Sequence, residues 1–243
     1  MEAHAREILV TGLTNQEFLE RHAKAGCIGL AGGATMIDLA IRRAERHLDD
    51  DAHWSLWSHA FFLQGVRADG HHWVIESDLE VHRKHIRLGV QENRLAKFHD
   101  EKLYRNLAIL DLGLTEAQVA ALLREALELV AGRERYSIRE IFGALLGLRH
   151  EQLRGLENPL ARERSLFCSA FVRQLYGRTG VDLAPGLAHK HTTPEDIFRT
   201  AMPHTRYLLR RDNAQSKLVA LRTKLRRKAK APLERLKMRR ESR

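Results

Sequence analysis

A side chain that attacks a carbonyl needs a nucleophilic atom, a base to free it and a group to orient the base. The chain offers two cysteines, Cys27 and Cys168. Cys168 lies in Ser165–Tyr176, SLFCSAFVRQLY, where Phe167, Ala170, Phe171 and Leu175 recur at helical spacing and Gly177 and Gly180 follow as stop signals. That pattern predicts a buried helix with Cys168 in its first turn. Unpaired backbone N–H groups and the positive dipole end there favour a thiolate, and the Cys168 N–H becomes the natural oxyanion donor. The rival is a small buried core thiol, the commoner state of a lone cysteine. Cys27, in CIGLAGG, has no basic partner in its motif and is read as inert.

The base and its orienting group are read from WSHAFF and VIES, which hold His59 and Glu76. Both segments look like strands, joined by a polar hairpin over Val66–His72 with Asp69-Gly70 at its turn. On paired strands, side chains of matching parity face the same side. Glu76 can therefore hydrogen-bond the His59 imidazole and stabilise its protonated form, leaving the other ring nitrogen for Cys168. Asp78 and Gln91 are alternatives for the orienting position, and a solvated strand carboxylate is the plain reading of Glu76.

Other residues of chemical interest form weaker patterns. The chain has 14 histidines, including His71-His72, His82/His85 and His189/His191, but none adopts a Cys/His or His-x-x-x-His spacing suited to a metal. They read as surface histidines, so no metal and no cofactor is expected. Gly32-Gly33 lacks the dinucleotide fingerprint and the phosphate-loop lysine. Trp54, Trp57 and Trp73 flank the proposed site and read as core aromatics before cleft walls.

The elements that must position these groups can be followed along the chain. Thr14-x-x-Glu17, Thr115-x-x-Gln118 and Ser137-x-x-Glu140 are capping-box patterns, each opening a helix. Cys27–Gly33, CIGLAGG, reads as a strand and turn, and Met36–Leu48 as an amphipathic helix. Leu107–Leu112 is an apolar run of strand length. Leu148–Arg164 is charged and without clear periodicity, and reads as a loop beside the cysteine helix. Val90–His99 yields no assignment. Thr193-Pro194-Glu195-Asp196 starts a short helix with proline in its first turn.

Taken together, the order His59 (WSHAFF), Glu76 (VIES), a helical stretch and Cys168 (FCSAFV) resembles the circularly permuted papain-like enzymes of the NlpC superfamily. The resemblance is to the YiiX-like branch, with the lecithin–retinol acyltransferase group more distant. It spans roughly Gly26 to Met202 and includes a glycine-led first strand, Gly26-Cys27-Ile28, and the Thr193-Pro194-Glu195-Asp196 turn. Cys27 departs from the acidic residue usual after that glycine. The resemblance implies an α+β, permuted papain-like fold, with a small antiparallel β-sheet or barrel packed against helices. It also implies a cysteine hydrolase or acyltransferase acting on amide or ester bonds, of peptidoglycan-type peptides or lipids, through Cys168, His59 and Glu76.

Charge divides the chain. The last stretch, Arg210–Arg243, holds 14 Lys/Arg against 3 Asp/Glu, a net +11, and the remainder holds 27 against 28, a net −1. A catalytic body over 1–209 with a basic helical tail over 210–243 is therefore expected. Leu218, Leu221 and Leu225 make an apolar stripe on that tail, which suits an anionic membrane surface. Nucleic acid ranks second, because the tail lacks interleaved aromatics for stacking. A papain-like binding module delivered by the tail is the non-enzymatic rival. MEAHAREILV is polar and acidic, and no apolar run is long enough for a membrane span. With only two cysteines, the expectation is a cytoplasmic protein, peripheral at a membrane where the tail binds.

Overall fold

The central strands are nearly continuous apolar runs, because both of their faces are covered. In the computed structural model, which describes residues 5–44, 55–82, 85–132, 159–187 and 192–210, they lie in one seven-stranded sheet. The strands are β1 (Arg6–Val10), β2 (Ile28–Gly33), β3 (His59–Val66), β4 (His72–His82), β5 (His85–Arg94), β6 (Tyr104–Asp111) and β7 (Thr205–Leu209). Their spatial order is β1-β7-β6-β2-β3-β4-β5. Strand β1 runs parallel to β7, and every other neighbouring pair is antiparallel. The sheet is therefore mixed and open, larger than the small antiparallel sheet or barrel expected. The difference comes from β1 and β7, strands from opposite ends of the same unit that pair with each other and extend the sheet. The fold class is α+β. The chain divides into Met1–Leu209 and Arg210–Arg243, and the whole sheet belongs to the first unit.

Alternation along each strand sorts side chains into two cores. Ile28, Leu30, Ala60, Phe62, Ile75, Ala108 and Leu110 point to one face, against Leu122, Ala126, Phe171, Val172 and Leu175. Ala31, Phe61, Leu63, Val74, Leu107 and Ile109 point to the other, against Phe18, Leu19, Leu95 and Phe98. Each fully buried side chain of this size contributes about 1.5–3 kcal/mol relative to exposure.

Helix starts follow the caps. Thr14 and Glu17 close a reciprocal capping box on α1 (Asn15–His22), and Thr115 and Gln118 do so on α3 (Glu116–Ala131). Helix α2 covers Met36–Ala44. The cysteine-bearing helix, α4, runs Pro159–Gly177, and α5 (Pro194–Phe198) carries a Thr193–Asp196 box. The helix expected after Ser137 and the tail lie outside the described residues. Among the described residues, no helix is long and apolar enough to cross a membrane.

Candidate active site

His59 is the first residue of β3, and its neighbours fix that start. The Ser58 N–H donates to the Ala31 carbonyl at 2.9 Å, and Ser58 Oγ accepts from the Gly33 N–H at 2.9 Å. The imidazole lies near the rings of Phe61 and Phe98, each centroid 6.1 Å away, and those two rings stack on one another at 4.2 Å. Gly29 stands opposite Phe61, and a Cβ there would come within 2.0 Å of the Phe61 ring. The absent side chain is what admits the ring.

Glu76 comes from β4, across the hairpin expected from the sequence. With Phe62 opposite Ile75, His59 and Glu76 share the face of Phe61 and Val74, and they meet diagonally. Glu76 is fully buried, and its Oε2 lies 2.6 Å from His59 Nε2. Its other oxygen, Oε1, accepts from Asn93 Nδ2 at 2.6 Å and from Lys97 Nζ at 2.6 Å. Lys97 also donates to Asp78 Oδ2 at 2.7 Å. Asp78 thus meets the lysine. Gln91 stands opposite Glu76 across β4 and β5, and its buried amide nitrogen has no hydrogen-bond partner among the described residues.

Cys168 is fully buried and lies close enough to His59 to act on the charge of its ring. Since Glu76 occupies Nε2, Nδ1 is the nitrogen left for the sulfur. Three residues from distant parts of the chain are thereby brought into one buried neighbourhood. Burial alone would lower the His59 pKa, but its interactions with Cys168, then those with Glu76, hold it up at about 10. Burial likewise opposes the Glu76 carboxylate, yet the His59 hydrogen bond and charge, with Lys97, keep its pKa below the usual value.

Helix α4 differs from expectation. It begins at Pro159, so Cys168 is its tenth residue and not part of its first turn. Proline is tolerated at a first helical position, where an N–H would go unpaired, and Leu160-Ala161-Arg162-Glu163 are good helix formers. Mid-helix, the Cys168 N–H belongs to the intrahelical ladder and is no oxyanion donor. What pins Cys168 is packing around α4. Its neighbour Ser169 donates to the Thr192 carbonyl at 2.6 Å. Arg173, one helical turn further on, donates to Thr192 Oγ1 at 2.9 Å and Asp182 Oδ1 at 3.0 Å. Tyr176 Oη donates to the Gly26 carbonyl at 2.6 Å, tying α4 to the start of β2.

Cys27 is also buried, and burial together with the Asp111 charge pushes its thiol up to about 12. Trp57 is a fully buried core side chain, while Trp73 lies against Arg67 and Arg94 on the hairpin, away from the site. Trp54 falls outside the described residues. A cavity of about 70 Å³ adjoins His59, walled by Thr35, Asp38, Ser58, Asp78, Leu103 and Tyr104.

The structure gathers one donor set that spacing along the chain did not reveal. His59, Glu76 and Asp78 each present a ligand atom, all within 4.8 Å of one another. A metal ion at their centre would confront Lys97 Nζ, already 2.6 and 2.7 Å from the two carboxylates. The set fits the ammonium it holds and not a metal ion. Lys97 and Asn93 were missed from sequence because Val90–His99 mixes a strand end with the 3-10 turn Leu95–His99. That turn buries Leu95 and Phe98 and leaves Lys97 facing the carboxylates.

No family model matches the chain, and no curated protein matches it. Among solved structures it is similar to the metalloprotein YiiX from Escherichia coli O157:H7, with a TM-score of 0.47 and 15% identity, covering 75% of this chain and 95% of that one.

Proposed function

We propose that the chain is a cysteine hydrolase or acyltransferase acting on amide or ester bonds, with Cys168 as nucleophile, His59 as base and Glu76 as the orienting carboxylate. The observation that supports this reading is the buried His59 imidazole, with Glu76 at 2.6 Å on Nε2 and the buried Cys168 close enough to act on the charge of the same ring. His59 takes the thiol proton, and the thiolate adds to the carbonyl carbon. The tetrahedral adduct collapses as the His59 imidazolium gives that proton to the departing amine or alcohol, leaving an acyl-thioester. His59 then takes a proton from water or another acceptor as it attacks. Collapse of the second adduct releases the acyl product and regenerates Cys168. Glu76 stabilises the imidazolium at both stages.

A panel of acyl-amide, peptidoglycan-type peptide and phospholipid substrates tests this reading. Turnover of one class that disappears in Cys168→Ser supports it, and turnover unaffected by Cys168→Ser contradicts it. Burial of Cys168 favours a second reading, a non-catalytic binding module. In that case no substrate turns over, and the wild type and Cys168→Ser bind a common ligand equally. In either reading the +11 charge of Arg210–Arg243 brings the body to an anionic surface.

A further inference from the structure

We propose that Lys97 is a positioning residue of this site, clamping Oε1 of Glu76 and Oδ2 of Asp78 so that Glu76 stays charged with Oε2 turned to His59. The inference rests on the catalytic reading of His59 and Cys168 only for its consequence; the clamp itself is geometry. Lys97 Nζ reaches both carboxylates, at 2.6 and 2.7 Å, from a side chain only 25% exposed. The same turn sends Phe98 against the His59 imidazole. One short element therefore fixes both the ring and the carboxylate that orients it.

The physical need for a clamp is plain. Glu76 has no solvent contact, and Asp78 is a second carboxylate at the same place. Two buried carboxylates side by side favour taking up a proton, and a neutral Glu76 would no longer stabilise an imidazolium. Besides His59, the charged and titratable groups around this cluster among the described residues include Cys168 from α4, Tyr104 from β6 and Asp38 from α2. Burial, with the carboxylates adding to it and Lys97 opposing, pushes Tyr104 up to about 12, so it supplies no charge at neutral pH. Asn93 gives Oε1 a second donor but no charge. Among the described residues, Lys97 is thus the permanent cation on this carboxylate, whereas the charge on His59 comes and goes with the reaction.

The test follows the side-chain carboxyl carbon of Glu76 by NMR against pH in the full chain, together with iodoacetamide labelling of Cys168 at neutral pH. The variants are Lys97→Arg, Lys97→Met and the double Lys97→Met/Asp78→Asn, which also neutralises the second carboxylate that Lys97 holds. In Lys97→Met the Glu76 midpoint is expected to rise by about one to three pH units, and in the double by less but in the same direction. Lys97→Arg should remain near wild type. If Lys97→Met does not fold, the double carries the comparison. A Glu76 midpoint unmoved in the folded variants overturns the proposal, as does an equal rise in Lys97→Arg. Where the midpoint rises but wild-type Cys168 resists labelling, the clamp stands and the nucleophile reading fails.

Discussion

A carboxylate with no solvent contact does not stay ionised unaided, and Glu76 makes that visible. Its oxygens meet an imidazole, an amide and an ammonium, each at 2.6 Å. The pH dependence of stability is a direct consequence. His59 has a folded value of about 10 against 6.5, so its contribution is complete below about pH 6.5 and is lost as pH rises through about 10. Glu76 is lowered from 4.5, so its contribution is present above about pH 4.5 and is lost as pH falls through its lower folded value. The pair therefore stabilises most between about pH 4.5 and 6.5. Urea midpoints should decline from pH 6.5 toward 10 in the wild type, and that slope should flatten in His59→Asn. Glu76→Ala should cost about 3–5 kcal/mol, because it strands buried cations. Glu76→Gln keeps the ring in place without the charge, so turnover should fall on the order of 10²–10⁴-fold while the fold survives. At this scale, strand parity alone made the His59–Glu76 contact legible. Lys97 was not, since no spacing rule links a turn residue to the middle of an earlier strand.

Elements decide how firmly those residues are held. The sequence pattern located the cysteine helix but started it too late, because the apolar periodicity begins near Ser165 while α4 begins at Pro159. Its first turns are written in propensity and a proline, signals weaker than periodicity. The capping boxes at Thr14 and Thr115 were legible because a cap is a local, reciprocal contact, and the helix after Thr193 was legible through its proline. The contact of Gly29 with Phe61 lies at the opposite extreme, since it exists only once β2 pairs with β3. Gly29→Ala would force the Phe61 ring aside, and through it Phe98 and His59. A loss of about 1–3 kcal/mol in a urea melt is expected, with a fall in Cys168 labelling. Cys168 labelling unchanged in a folded Gly29→Ala protein would show that ring packing does not hold the imidazole.

At the scale of the molecule, the sheet is wider than the sequence led one to expect. Strand β1 reads as polar, REILV with exposed positions, and only its pairing with β7 makes it a strand. Such partnerships, between residues at opposite ends of a long unit, leave no local trace. Charge, by contrast, is fully legible, because it needs no partner to be counted. From a body of net −1 and a terminal stretch of net +11, we propose that anionic surfaces are met through Arg210–Arg243. At about 1 kcal/mol per basic residue near an anionic bilayer, a few contacts suffice for reversible attachment. The full chain should co-sediment with phosphatidylserine vesicles at low salt and release at high salt, and a chain ending at Leu209 should stay in the supernatant. Equal sedimentation of the two would show that the tail is not what meets the membrane.

The central claim is that Cys168 is a nucleophile because His59 makes it one, although the two come from α4 and β3. Labelling by a thiol-reactive probe at neutral pH, located by peptide mass and compared between wild type and His59→Ala, tests it most directly. Both proteins are first checked to be folded. The expected result is modification of Cys168 ahead of Cys27 in the wild type, falling to background in His59→Ala. Equal labelling of Cys168 in the two proteins, or preferential labelling of Cys27, would contradict the claim.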